Sequence, residues 1–170
     1  MAGSFLTAQG LSSEQLLEIF DRIKVLKHDM KQGKTLDVLQ NKVIGILFEK
    51  PSTRTRTSFE SAILRLGGSA IYLPVADLQI NRGEPIKDTS RMFGSYLDAL
   101  VARVFEHQTV EDLSRYSGIP IINGLSDLAH PTQAVCDIFT VLEVKGKVKG
   151  LKLAYIGDGN NVCHSLLMVC

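Results

Sequence analysis

A chain of 170 residues with 19 basic and 18 acidic side chains has a formal charge of +1, so no field of one sign is available to hold nucleic acid or a membrane surface. A small, locally recognised ligand fits better, on a chain long enough for one substantial core plus a fragment. Hydrophobic residues make up 45% of the chain, yet no apolar run approaches the ~20 residues that span a bilayer.

Met1 to Gln15 mixes polar and apolar residues without the basic start and continuous apolar stretch of a secretion signal, so a soluble, cytoplasmic protein is expected. Cys136, Cys163 and Cys170 are odd in number and form no close CxxC pair, which argues for reduced thiols and against a disulfide framework or a zinc site.

Ser12 to Gln15 offers a capping box, after which Leu16, Ile19, Phe20 and Ile23 recur at helical spacing until Gly33. Val43 to Phe48 is short and apolar and runs into a Pro-Ser-Thr loop, the pattern of a buried strand delivering its C-terminal end to a turn. Phe59, Ile63 and Leu66 mark a helix face ended by Gly67-Gly68, and a second strand follows at Ala70 to Leu73. Beyond a polar loop with Asn81, Gly83 and Pro85, Asp88-Thr89 suits the cap of a helix carrying Met92, Phe93 and Leu97. A third strand is expected at Leu100 to Phe105, a helix capped by Thr109 and Asp112 comes next, and Ile121-Ile122 forms a fourth strand.

His130 precedes Pro131, so its backbone should be extended, and Pro131 suits the first position of a helix carrying Val135, Ile138 and Leu142. Lys145-Gly146-Lys147 reads as a linker, and Leu151 to Ile156 as a fresh strand running into Gly157-Asp158-Gly159-Asn160-Asn161 and a helix start, where Asn160 suits the cap. The alternation predicts an α/β fold: a doubly wound parallel sheet with helices on both faces over residues 1–147, then the first strand and helix of a second α/β domain over 148–170. In such sheets ligands bind beyond the carboxyl ends of the strands.

Ser52, Thr53, Arg54 and Thr55 fall where a strand turns into a helix, so N–H groups, hydroxyls and a guanidinium can converge on one anion. The same Ser and Thr equally suit a plain helix cap. Neither GxxxxGK[ST] nor GxGxxG occurs here, and Gly157-Asp158-Gly159 lacks the third glycine and the following acidic residue of a dinucleotide site.

The run Phe48-Glu49-Lys50-Pro51-Ser52-Thr53-Arg54-Thr55-Arg56-Thr57-Ser58-Phe59-Glu60 resembles the signature of aspartate and ornithine carbamoyltransferases. It is joined in order by Ile86-Lys87-Asp88-Thr89, Arg103, His130-Pro131-Thr132-Gln133 and Gly157-Asp158-Gly159-Asn160-Asn161, so the resemblance covers nearly the whole chain. Lys50, Gln79 and the paired Asn160-Asn161 are more similar to the ornithine branch.

The resemblance implies transfer of a carbamoyl group from carbamoyl phosphate to L-ornithine, giving citrulline and phosphate in arginine metabolism. Putrescine or aspartate as acceptor, and a non-catalytic carbamoyl-phosphate-binding module, are the other readings. By the same resemblance Ser52, Thr53, Arg54 and Thr55 hold the phosphate, and Arg103, His130 and Thr55 donate to the carbamoyl oxygen, whose charge grows at the tetrahedral stage. Pro131, Thr132 and Gln133 complete that site, with Gln133 on the carbamoyl amide. Gln79 reaches a neighbouring subunit's site in a homotrimer, and Asn161 binds ornithine. Arg56 fits an ion pair supporting the loop or a ligand contact. The family is about twice as long, and its acidic-Ser-Met-Gly and His-Cys-Leu-Pro segments do not occur in these residues, so the 170-residue chain alone is expected to be inactive. No cofactor or metal is implied.

Overall fold

A computed structural model describes residues 3–170. Met1 and Ala2, the start of the stretch read above as lacking a secretion signal, lie outside the described residues. Four strands form one parallel sheet: β1 (Val43–Phe48), β2 (Ser69–Pro74), β3 (Ala99–Arg103) and β4 (Ile121–Leu125), in the order β2-β1-β3-β4. The helices are α1 (Ser13–Lys31), α2 (Thr53–Arg65), α3 (Ile86–Tyr96), α4 (His107–Ser117), α5 (Pro131–Lys145) and α6 (Asn161–Val169).

Strand order and chirality together fix where the helices lie. Right-handed crossovers put α2, on the way from β1 out to β2, on one face; the chain then reverses direction across β1 to β3 and on to β4, which carries α3 and α4 to the opposite face. The core follows that division. Ile44, Ile46, Phe48 and Val101 pack with Ile63 of α2, while Leu47, Leu100 and Ala102 pack with Phe93 of α3 and Val110 and Leu113 of α4. Covered on both faces, β1 has no polar alternation, and Ile44 to Phe48 are all buried. Phe20 of α1 packs with Val135, Ile138 and Phe139 of α5, and Leu166 and Val169 of α6 join that cluster.

The same reversal creates a switch point. The connection leaving β1 turns toward β2 and the one leaving the adjacent β3 turns toward β4, so a crevice opens at the carboxyl ends of β1 and β3. Register aligns Phe48 with Arg103 there, and a bulge between β3 and β4 at Ala102/Arg103 marks the same edge.

Several expected boundaries hold. Ser12 caps α1 through a capping box with Gln15, Pro131 opens α5, and Asn160 caps α6 by accepting from the Val162 and Cys163 N–H groups. Three differ. Helix α3 begins after Pro85 rather than at a cap formed by Asp88-Thr89; Thr89 is buried one turn in, and its hydroxyl donates to Glu84 at 2.5 Å. Helix α4 begins at His107 rather than behind Thr109, because Asp127 Oδ1, 20 residues away, accepts the His107 N–H at 2.8 Å. Leu151 to Ile156 is not a strand: it joins no sheet ladder among the described residues, and Ile156 is 97% exposed. A parallel strand needs partners on its backbone, and the outer edge of β4, the last strand of the sheet, is bridged instead by Phe5, whose N–H donates to the Ile121 carbonyl and whose carbonyl accepts the Asn123 N–H.

Candidate active site at the carboxyl edge of the sheet

Ser52 stands between β1 and α2 with extended backbone (φ −158, ψ 111). Its Oγ accepts the Thr55 N–H at 3.3 Å and donates to Thr55 Oγ1 at 2.9 Å. With the Thr55 N–H taken by Ser52, the Thr53 and Arg54 N–H groups of the first turn have no intrahelical acceptor and, with the helix dipole, suit an anion. Thr53 and Arg54 occupy the first helical positions and are exposed. Arg56 turns away, with Nε donating to Glu60 at 3.0 Å and its guanidinium 3.5 Å above the Tyr72 ring; of its two readings, the structure has the ion pair.

Arg103 reaches the cradle from the next strand. Its Nη1 donates to Thr55 Oγ1 at 3.3 Å, its carbonyl accepts the Glu49 N–H at 2.9 Å, and its buried Nε has no protein partner. An unpaired buried guanidinium N–H costs desolvation unless something accepts from it. Burial also lowers the Arg103 pKa from its ordinary value, though an arginine stays cationic at any physiological pH.

His130 completes this edge from the loop between β4 and α5. Burial, then the positive charge of Arg103, holds its pKa below the ordinary imidazole value, with Asp137 opposing. The ring is therefore neutral at pH 7. Thr132 Oγ1 lies 3.4 Å from His130 Nδ1; with Nδ1 accepting, the other ring nitrogen carries the proton and can donate to a carbonyl oxygen.

The structure thus brings Ser52, Thr55 and Arg103 into one hydrogen-bonded group and sets His130 within the influence of the Arg103 charge. The remaining candidates are not tied into it. Pro131 is buried at the start of α5, Gln133 donates to Asp137 at 2.8 Å along its own helix, and Gln79 is exposed in a 3₁₀ turn (Gln79–Arg82) beyond β2. Asn161 Nδ2 donates to the Ser126 carbonyl at 2.7 Å. A cleft of about 440 Å³ opens on the same edge, walled by Glu49, Val75, Asn81 and Phe105, but none of the expected ligands lines it.

Residues 4–143 match the family model described as aspartate/ornithine carbamoyltransferase, carbamoyl-P binding domain. The chain belongs to this carbamoyltransferase family. It is 50% identical over 163 residues to an ornithine carbamoyltransferase of Pyrococcus horikoshii, covering 96% of this chain and 51% of that protein. A Listeria innocua ornithine carbamoyltransferase is 57% identical over 157 residues, covering 92% and 49%. The solved ornithine carbamoyltransferase of Pyrococcus furiosus superposes with a TM-score of 0.95 at 48% identity, over 99% of this chain and 54% of that one. Aspartate transcarbamoylase of Trypanosoma cruzi in complex with carbamoyl phosphate superposes at 0.92 with 32% identity, over 99% and 56%. The chain spans about half the length of the curated relatives it matches.

Along this edge of the sheet, the sequence did not single out three buried side chains. Asn123 of β4 donates through Nδ2 to the carbonyls of Leu6 and Ala129 and to Ser126 Oγ, at 2.9 to 3.3 Å. Ser126 Oγ accepts the Ala129 N–H at 3.2 Å and lies 2.7 Å from His107 Nδ1. Ser165 of α6 accepts the His130 N–H at 2.8 Å. The available signal was a polar residue inside the apolar strand Ile121-Ile122-Asn123; a buried amide there requires partners.

Proposed function

We propose that this chain is the carbamoyl-phosphate-binding part of an ornithine carbamoyltransferase, which moves the carbamoyl group of carbamoyl phosphate to the side-chain amine of L-ornithine. The observation that carries the reading is the convergence of Ser52, Thr55 and Arg103 at one hydrogen-bonded point, with His130 in the loop after β4, its pKa lowered by burial and by the Arg103 charge. Carbamoyl phosphate has two ends, a dianionic phosphate and a planar carbonyl. Ser52, Thr53, Arg54 and the α2 N-terminus receive the first, where dipole and guanidinium both favour negative charge.

The second end belongs to Thr55, Arg103 and His130. As the ornithine nitrogen attacks the carbamoyl carbon, negative charge builds on the carbonyl oxygen, and these donors stabilise it. The carbon–oxygen bond to phosphate then breaks, phosphate departs, and the amine releases one proton to yield citrulline. Pro131 starts the helix that fixes the motif, Thr132 sets the imidazole tautomer, and Gln133 swings from Asp137 to the carbamoyl amide when ligand binds. Holding both reactants in one closed site contributes through orientation.

Identities near 50% with ornithine carbamoyltransferases, against 32% with the aspartate enzyme, favour ornithine over aspartate as acceptor. We assign residues 1–147 to the carbamoyl-phosphate domain and 148–170 to the start of an ornithine domain, with Asn161 an ornithine ligand. The complete enzyme is a cytoplasmic homotrimer of arginine metabolism in which Gln79 enters the neighbouring site, and the 170-residue chain alone does not turn over. No helix among the described residues is long and apolar enough to cross a membrane.

Calorimetric titration with carbamoyl phosphate, comparing the unaltered chain with Arg54→Ala and Arg103→Ala, tests the reading. Loss of a charge-assisted bond weakens binding by about 1.5 to 3 kcal/mol, roughly 10- to 100-fold in Kd. Equal affinity in all three overturns it. Acceptor profiling of the full-length enzyme with ornithine, putrescine and aspartate decides the second substrate.

A further inference from the structure

Loop 126–130 carries His130 but belongs to no helix or strand, so its position depends on side chains that grip its backbone. Asn123 and Ser126 grip it from the sheet side. The other side is held by α6. Asn161 Nδ2 donates to the Ser126 carbonyl at 2.7 Å, His164 Nδ1 donates to the Leu128 carbonyl at 3.1 Å, and Ser165 Oγ accepts the His130 N–H at 2.8 Å. Residues 161, 164 and 165 share one helix face, and they meet backbone groups of alternate loop residues.

We infer that Ser165 is a positioning residue for His130, fixing the imidazole for carbonyl recognition through the His130 backbone N–H. The inference rests on the proposed carbamoyl-phosphate site. Ser165 is fully buried, and its hydroxyl is used twice: it donates to the Asn161 carbonyl at 2.8 Å while accepting from His130. The first bond is the ordinary back-bond of a helical serine and explains nothing about the loop. The second does. His130 precedes the first residue of α5, so no turn of that helix supplies an acceptor for its N–H. Without the Ser165 oxygen that N–H is an unpaired donor, and relieving it shifts the residue carrying the ring. Displacement of about 1 Å at a reacting centre is enough to lose a large factor in productive geometry.

Among the described residues the hydrogen bonds of Ser165 go to His130 and Asn161 and not to the phosphate cradle on α2, and this separates the two ends of the ligand in a test. Inorganic phosphate probes the cradle alone, and carbamoyl phosphate probes cradle and carbonyl donors together. In the whole chain, Ser165→Ala is expected to bind phosphate as the unaltered chain does but carbamoyl phosphate about tenfold more weakly, the scale of one hydrogen bond. Hydrogen exchange at the His130 amide should quicken by about the same factor. Ser165→Cys, which keeps the volume but offers a weak sulfur acceptor, should show both effects, and it carries the test if the alanine variant does not fold.

Equal weakening toward both ligands, or no change toward either, overturns the positioning role, as does a His130 amide that exchanges no faster. If the unaltered chain binds phosphate with no preference for carbamoyl phosphate, the functional reading fails instead. The exchange measurement then decides the brace by itself.

Discussion

Arg103 Nη1 donates to Thr55 Oγ1 at 3.3 Å across 48 residues of sequence, joining the end of β3 to the first turn of α2. The guanidinium is half-buried and its Nε has no other protein partner. Lysine can reproduce the charge but neither the planar fork nor the donor aimed along Nε. Arg103→Lys is therefore expected to lose about 1.5 to 3 kcal/mol of carbamoyl phosphate affinity by calorimetry. A Kd within twofold of the unaltered chain would show that only the charge is used.

Ser52 separates capping from anion binding. Aspartate caps a helix as well as serine does, and its charge suits the N-terminal dipole, so Ser52→Asp should unfold in urea at no lower a midpoint than the unaltered chain. Ser52→Ala should lose about 1 kcal/mol of stability. Both should bind phosphate poorly, aspartate worst, because its carboxylate occupies and repels from the cradle. Tight phosphate binding by Ser52→Asp rejects the cradle and leaves only a cap.

The depressed pKa of His130 makes stability depend on pH. Burial and Arg103 keep the folded imidazole neutral, while the unfolded one protonates near ~6.5. Below that value the unfolded chain binds more protons, so this group's contribution is intact above about pH 6.5 and falls as pH drops toward the lower folded pKa. His130→Gln cannot titrate. Its unfolding free energy in urea should fall less between pH 7.5 and 5.5 than that of the unaltered chain, and equal falls would contradict the assignment.

Gly94 lets α3 and α4 approach closely. A Cβ there would sit 1.9 Å from the Ser117 carbonyl oxygen, a backbone atom with no rotamer to change. Gly94→Ala should destabilise the chain by about 3 kcal/mol, the upper range for overpacking, despite alanine's better helix propensity. Chemical denaturation checks this, and an unchanged or raised midpoint would mean that the helices separate freely.

The amino-acid order by itself determined the strand-helix alternation, the central apolar strand Val43–Phe48, the caps at Ser12 and Asn160 and the Pro131 helix start, because each depends on neighbours within a few residues. It also displayed Ser52 to Thr55 and His130 to Gln133 as contiguous motifs. Where a remote group competes with a local signal, the local reading fails: Asp127 replaces Thr109 as the cap of α4, and Leu151 to Ile156 has strand composition but no strand beside it.

Tertiary structure alone decided that β1 lies beside β3, which sets Arg103 against Thr55 and opens the crevice between their connections. It also decided that α6 grips the His130 loop, since a hydrogen bond between Ser165 and residue 130 spans 35 positions and leaves no periodicity to read. Local pattern encodes what one segment buries or caps; the meeting of Thr55 and Arg103 from two strand ends exists only once chirality and strand order have folded the chain back on itself.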